Sequence, residues 1–355
     1  PDVPPPPEFD EVINKLVADH TPGTHGYMPN GGYPWVREAL AGRMSAEQGV
    51  QLSGDEILMT CGAAGALNVV MKSLLDPGDE VIILAPFFVE YHFYVDNHGG
   101  TVSVVPCNEA FNIDHQAIRA AISGRTKAVI INSPNNPTGQ VYSQAALDTL
   151  GALLEEEGSR HGSTIYLVMD EPYRDILFDG HEAASTLGAY RNAIVLSSYS
   201  KSLSLAGERI GFMAVHPEME GKAELLDALT LANRILGFVN APALMQRVVA
   251  ELQDVTVDCS IYARRRELFR QILDDAGFEY ELPKGAFYFF PQSPIEDDVE
   301  FCGILQAQKI LAVPGRGFGA PGYFRLAFAV PDDVIERSAT SFRVAMNAVR
   351  ELGRG

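Results

Sequence analysis

The chain has 355 residues, more than one minimal core needs, which points to two domains or to one large domain with an appendage. Its 46% hydrophobic and 21% charged residues are an ordinary globular composition. A formal net charge of −19 repels nucleic acid and anionic membranes and excludes both as expected partners. It leaves room for an anionic small molecule, because a few arginines reverse the field inside a cleft. The four cysteines, Cys61, Cys107, Cys259 and Cys302, form no CxxC pair, and no histidine stands at a matching metal-ligand offset, so no metal is expected. Scattered thiols fit a reducing cytoplasm. The start of the chain lacks a basic-then-apolar signal pattern, and the longest apolar runs are strand-length, so a soluble, unexported protein is expected.

Pro1 to Pro7 is proline-rich and reads as an extended arm. From Ile57 the chain alternates. Strands are predicted at Ile57–Thr60, Glu80–Ala85, Thr101–Val105, Lys127–Asn132, Ile165–Asp170, Ala193–Tyr199 and Arg209–Val215. Helices are predicted between them at Ala63–Leu75, His115–Ile122 and Ser143–Glu157. Continuous apolar strands separated by helices predict an α/β fold, a mostly parallel sheet covered by helices on both faces. Ligands in such sheets sit beyond the carboxyl ends of the strands. After Met219 the pattern changes to a long helical region that leads to Arg264–Ala276. Strands at Ala286–Pro291, Ile310–Val313 and Tyr323–Ala329 follow, then a final helix from Pro331 to Leu352. This part reads as a smaller α+β domain joined by the N-terminal arm. The expected division is 27–220 for the large domain against 1–26 with 240–355 for the small one.

Four segments carry the chemistry. Ser198-Tyr199-Ser200-Lys201 follows a strand, with Arg209 eight residues on. A lone lysine on a turn is ordinarily a solvated charge, but a lysine among small hydroxyl residues at a strand end suits a Schiff base. Ser198 and Arg209 flank it as anion ligands, the arginine offering a rigid fork for phosphate. Asp170-Glu171-Pro172-Tyr173 stands at another strand end. An Asp there is a helix cap, a turn residue, or the carboxylate that a pyridine nitrogen needs in order to stay protonated. Asn132-Ser133-Pro134-Asn135-Asn136-Pro137-Thr138-Gly139 is turn chemistry that can also present an Asn to a phenolic oxygen or a carboxylate. Thr60-Cys61-Gly62-Ala63-Ala64-Gly65 joins a strand to a helix with residues small enough for a phosphate to approach the backbone. It matches neither GxGxxG nor a Walker loop. Phe88 is core packing or a ring-stacking surface. Arg325 lies in the apolar run Tyr323-Phe324-Arg325-Leu326-Ala327-Phe328, so it is either a structural ion pair or a carboxylate ligand.

In this order these segments resemble the class I/II aminotransferases of pyridoxal-phosphate fold type I, aspartate aminotransferase-like, from about Tyr27 to Phe328. The resemblance implies pyridoxal 5'-phosphate held by Lys201, which shuttles the α-proton. It implies Asp170 as the pyridinium partner, and Tyr173 and Asn136 at the phenolic oxygen. Ser198, Arg209 and the backbone of Ala63 and Ala64 would form the phosphate cup, with Phe88 stacked on the ring. Arg325, helped by Asn136, would bind the substrate carboxylate. Tyr27, in Gly26-Tyr27-Met28-Pro29-Asn30, matches a tyrosine that reaches the neighbouring subunit's phosphate, which implies a homodimer with shared active sites. The alternative for Tyr27 is a loop aromatic over its own core.

The resemblance implies a ping-pong transfer between an L-amino acid and a 2-oxo acid. Arg234, in Ala232-Asn233-Arg234-Ile235-Leu236, lies about one residue from the position where dicarboxylate-specific relatives carry a second arginine. If it faces the neighbouring cleft, aspartate or glutamate is the expected donor and 2-oxoglutarate the acceptor; otherwise it is an ordinary helix charge. Relatives usually carry a lid segment before the position of Pro1, which is expected to be missing or short here, and a small residue where this chain has Arg316. A C–S β-lyase, decarboxylase or synthase on the same scaffold would use the same lysine, aspartate and arginine. A non-catalytic ligand sensor usually accompanies a DNA-binding module, which is not expected here. A nicotinamide dehydrogenase lacks its glycine-rich fingerprint.

Overall fold

Period-2 burial explains the sheet in the computed structural model, which describes residues 2–352. In β4 (Thr126–Asn132), Val129 and Ile131 enter one apolar core while Ala128 and Ile130 enter another on the opposite face. Each fully buried Val or Ile contributes about 1.5–3 kcal/mol, and neither face can be solvated, so helices must cover both. The other strands of the sheet are β1 (Ile57–Thr60), β2 (Glu80–Ala85), β3 (Thr101–Pro106), β5 (Tyr166–Asp170), β6 (Ala193–Ser198) and β7 (Gly211–Val215), in the order β1-β7-β6-β5-β4-β2-β3. Only β7 runs antiparallel to its neighbours, β1 and β6. The mostly parallel sheet is therefore present.

Helices α3 (Gly62–Leu74), α4 (Tyr91–Asp96), α5 (His115–Ala121), α6 (Gln144–His161) and α9 (Lys222–Ile235) cover it. Ser143 caps α6 by accepting from Ala146 N, and Gly162 ends the helix in the left-handed region. α7 (Thr186–Ala189) and α8 (Tyr199–Ser202) are single turns. Six of the helices among the described residues lie outside the predicted set: α4, α7 and α8, together with α1 (Pro7–Val17), α2 (Pro34–Gln48) and α12 (Asp298–Ala307). Pro7 does not belong to the extended arm; it opens α1, where a missing N–H costs nothing.

The smaller unit carries a three-stranded antiparallel sheet of β8 (Tyr288–Phe289), β10 (Phe324–Ala327) and β9 (Val313–Pro314), in that order. Helices α11 (Cys259–Ala276), α12 and α13 (Asp332–Leu352) complete it around a core rich in phenylalanine. Two predicted strands shrink: Ile310–Ala312 is not strand, following the left-handed turn at Lys309, and only two residues of 286–291 pair regularly. The start of the chain packs against this unit: Val3 is in its core and Asp2 accepts from Arg265 Nη1 at 2.8 Å. The cores divide differently from the expected boundaries, however. Leu16 of α1 and Met245, Val248 and Val249 of α10 (Ala243–Glu251) pack in the core of the large sheet, because both amphipathic helices turn their apolar faces to it. Among the described residues, no helix is long and apolar enough to cross a membrane.

Candidate active site

The carboxyl ends of β4, β5 and β6 lie side by side, with Asn132 in register with Asp170 and Asp170 with Leu196. Beyond them opens a cavity of about 320 Å³. Ten sequence-predicted residues line it: Ala63, Ala64, Phe88, Asn136, Asp170, Tyr173, Ser198, Lys201, Arg209 and Arg325.

Asp170 sits at the floor, 6% exposed. Its Oδ2 accepts from Tyr91 Oη at 2.7 Å, whereas Oδ1 is buried with no partner among the described residues. Burial pushes the carboxyl up to about 6, and the Tyr91 hydroxyl opposes that rise. An unsatisfied buried oxygen is costly, so this one calls for a donor from the cavity. Asn132 braces the floor: Nδ2 donates to Asp170 O and Oδ1 accepts from Asn136 N, both at 2.7 Å.

Lys201, half-buried on α8, has Nζ 5.5 Å from the Phe287 ring centroid and 5.8 Å from that of Tyr173. Burial, then the positive charges of Arg209 and Arg325, lower its pKa, which raises the fraction of neutral, nucleophilic amine. Arg209 has a left-handed backbone (φ 55°) and donates from Nη1 to Ala206 O at 2.9 Å. Its guanidinium lies against Gly62, where a Cβ would come within 3.0 Å of Nη2; Gly62 also has φ +72°, so glycine is needed there twice over. Cys61 makes no side-chain cap to α3, leaving the amides of the helix's first turn for an anion beside Arg209 and Ser198.

The opposite wall comes from the smaller unit. Arg325 Nη1 donates to Asn136 Oδ1 at 2.8 Å, and its guanidinium stacks 4.7 Å from the Tyr288 ring and 4.9 Å from Phe318. Among the described residues it pairs with no carboxylate, so the structural ion pair is not what holds it. Tyr173 Oη and Tyr288 Oη are 2.8 Å apart.

Tyr27 and Arg234 stand outside this cavity. Tyr27 is 93% exposed, beside residues 238–243. Arg234, exposed, donates to Asn30 Oδ1 at 3.1 Å, and Asn240 Nδ2 donates to Pro29 O, so the two segments form one surface. Arg316 is ion-paired with Asp298 and Asp297. From sequence, Asn132 is placed at its strand end but the role goes to Asn136 alone; Tyr288, which lines the cavity, and Tyr91, which stands behind Asp170, are passed over. Asn132 closes a predicted strand and Tyr91 lies three residues after Phe88, so both were within reach. Tyr288 stands in a two-residue strand with no local signal.

Residues 3–342 match the family described as "Aminotransferase class I and II". The aspartate/prephenate aminotransferase of Thermus thermophilus is 32% identical, over 100% of this chain and 89% of that protein. The aspartate aminotransferase of Geobacillus stearothermophilus is 31% identical, over 96% and 87%. Among solved structures, an amino transferase from Eubacterium rectale superposes with a TM-score of 0.96 at 37% identity, covering 98% of this chain and 88% of that one. A tetra mutant of the Thermus thermophilus aspartate aminotransferase gives 0.86 at 30%, over 97% and 94%.

Proposed function

Because the chain belongs to the aminotransferase class I and II family, we propose that its cavity takes pyridoxal 5'-phosphate and that it moves an amino group between an L-amino acid and a 2-oxo acid. One observation carries the cofactor: the buried, unpartnered Oδ1 of Asp170 faces the need for a cationic N–H in the same cavity as a lysine of lowered basicity. A protonated pyridine nitrogen meets that need. When bound, the cofactor supplies an electron sink for the pair released at the amino acid's α-carbon.

The chain's own residues do the rest. Lys201 Nζ anchors the cofactor and, when released, accepts the α-proton as general base. Asp170 holds the ring nitrogen protonated. Tyr173 Oη and Asn136 Nδ2 donate to the phenolic oxygen, and Phe88 covers the ring. Arg209, Ser198 and the amides of Ala63 and Ala64 hold the phosphate. Arg325, planar and stacked, binds the substrate α-carboxylate as a bidentate fork. Because it arrives from the smaller unit, closure of that unit over the cavity would complete the site and exclude water.

Tyr27 and Arg234 are assigned to the cavity of the other subunit in a homodimer with shared sites, Tyr27 at the phosphate and Arg234 at a side-chain carboxylate. Their shared exposed surface supports this. An aspartate- or glutamate-type donor with 2-oxoglutarate as acceptor is favoured; the names of the aspartate/prephenate aminotransferase of Thermus thermophilus and the aspartate aminotransferase of Geobacillus stearothermophilus support the aspartate part of this reading. We read it as a cytoplasmic enzyme of amino acid metabolism, with neither nucleic acid nor membrane as partner. The test is the visible spectrum of the protein loaded with pyridoxal phosphate, with aspartate, alanine, tyrosine and cysteine added in turn. Bleaching to the pyridoxamine form with aspartate supports the reading. A band that persists while pyruvate is released moves it to a lyase.

A further inference from the structure

Tyr288 reaches the cavity through a short backbone ladder that joins the two units. Ala286 N donates to Ile176 O at 3.0 Å, Phe178 N to Lys284 O at 2.9 Å, and Gly285 N to Gly139 O at 2.9 Å. The ladder sets β8 beside the segment that follows β5. It leaves Tyr288 7% exposed, with its hydroxyl 2.8 Å from Tyr173 Oη and the two rings edge to face at 5.7 Å. The face of the Tyr288 ring takes the Arg325 guanidinium at 4.7 Å. One side chain thus touches both the tyrosine assigned to the cofactor and the arginine assigned to the substrate.

A phenol has one proton to donate. If Tyr173 spends it on the cofactor's phenolic oxygen, the bond between the two tyrosines must run from Tyr288 to Tyr173. Donation into Tyr173 polarises its O–H and strengthens its own donation onward. We propose that Tyr288 is a positioning residue: it fixes the direction in which Tyr173 donates and the plane in which Arg325 presents its fork. The electronic tuning of the bound cofactor then depends on the smaller sheet being in place. This rests on the cofactor reading above.

The test is a pH titration of the visible band of the loaded dimer, in the wild type and in Tyr288→Phe, Tyr173→Phe and the double variant. Tyr288→Phe removes one oxygen and keeps the ring under Arg325. The other groups around the tyrosine pair, Lys201, Asp170, Arg209, Arg325 and Tyr262 of α11, are unchanged. Weaker donation to the phenolic oxygen favours the protonated form of the chromophore. The apparent pKa of Tyr288→Phe should therefore rise by about half a unit to one unit, a roughly three- to tenfold change in proton affinity. Tyr173→Phe should shift it further, and adding Tyr288→Phe to that background should shift it no more. KM for the amino acid should stay within about twofold in Tyr288→Phe but rise several-fold in Tyr288→Leu, which loses the cation–π contact. A Tyr288→Phe band that titrates like the wild type, or a shift that persists undiminished in the Tyr173→Phe background, overturns the inference alone. A wild-type protein with no visible band after loading overturns the functional reading and this inference with it.

Discussion

Asp170 carries an oxygen that no group among the described residues satisfies, and burial raises its pKa. The carboxyl is raised from its ordinary value of 3.8 to about 6 by burial. Between these values the folded protein binds the proton that the unfolded chain has released, so stability without cofactor falls as pH rises through this window. Asp170→Asn should remove that dependence. The variant without cofactor should gain about 3 kcal/mol over the wild type above pH 6 and nothing below about pH 4, measured by urea unfolding; the same variant should lose most turnover. Lys201→Ala should lower turnover at least about 10³-fold while leaving urea stability within about 0.5 kcal/mol, since among the described residues Lys201 makes no ion pair that its loss would orphan. Near-normal transamination by that variant would sink the assignment.

Elements meet closely where the two units join. Gly285 lies in the ladder between 176–178 and 284–286, and a Cβ there would meet Ile176 O and Pro134 at 2.8 Å. Ile176 O is backbone of that ladder, and Pro134 belongs to the Asn132–Gly139 turn, which holds Asn136, so the added carbon would push on both. Gly285→Ala should cost about 1–3 kcal/mol and weaken substrate binding. Gly303 is the contrast: it sits exposed in α12 with nothing within 4 Å of its would-be Cβ. The same change there should stabilise by up to about 1 kcal/mol through helix propensity. If both substitutions behave alike in chemical denaturation, the close approach at Gly285 is not what holds the ladder.

Across the whole molecule, the exposed surface of Tyr27 and Arg234 bears on assembly. A dimer with shared sites predicts complementation: inactive Lys201→Ala chains mixed with Tyr27→Ala chains should regain part of the wild-type rate, because one cavity per heterodimer is intact. Absence of any gain after confirmed subunit exchange would break the shared-site reading. Arg234→Leu should lose aspartate activity and keep alanine or aromatic activity; an unchanged preference would return Arg234 to a plain surface charge.

Local sequence determined the repetitive parts. The strands Glu80–Ala85, Lys127–Asn132 and Ile165–Asp170 were legible because burial on both faces demands unbroken apolar runs, and the residues at their ends were legible because parallel strands deliver them to one edge. Tertiary structure decided what depends on distant segments meeting. The reversed direction of β7 is invisible in an apolar run that suits either orientation. Met245 and Val248 were assigned to the smaller unit, yet their helix packs on the large sheet, since an amphipathic face names no partner. Tyr288 is two residues of strand with an ordinary aromatic pattern. Only folding brings its hydroxyl to Tyr173 and its ring to Arg325, 37 residues further along the sequence, because hydrogen bonds from the segment before β8 to the segments after β4 and β5, not local preference, set that position.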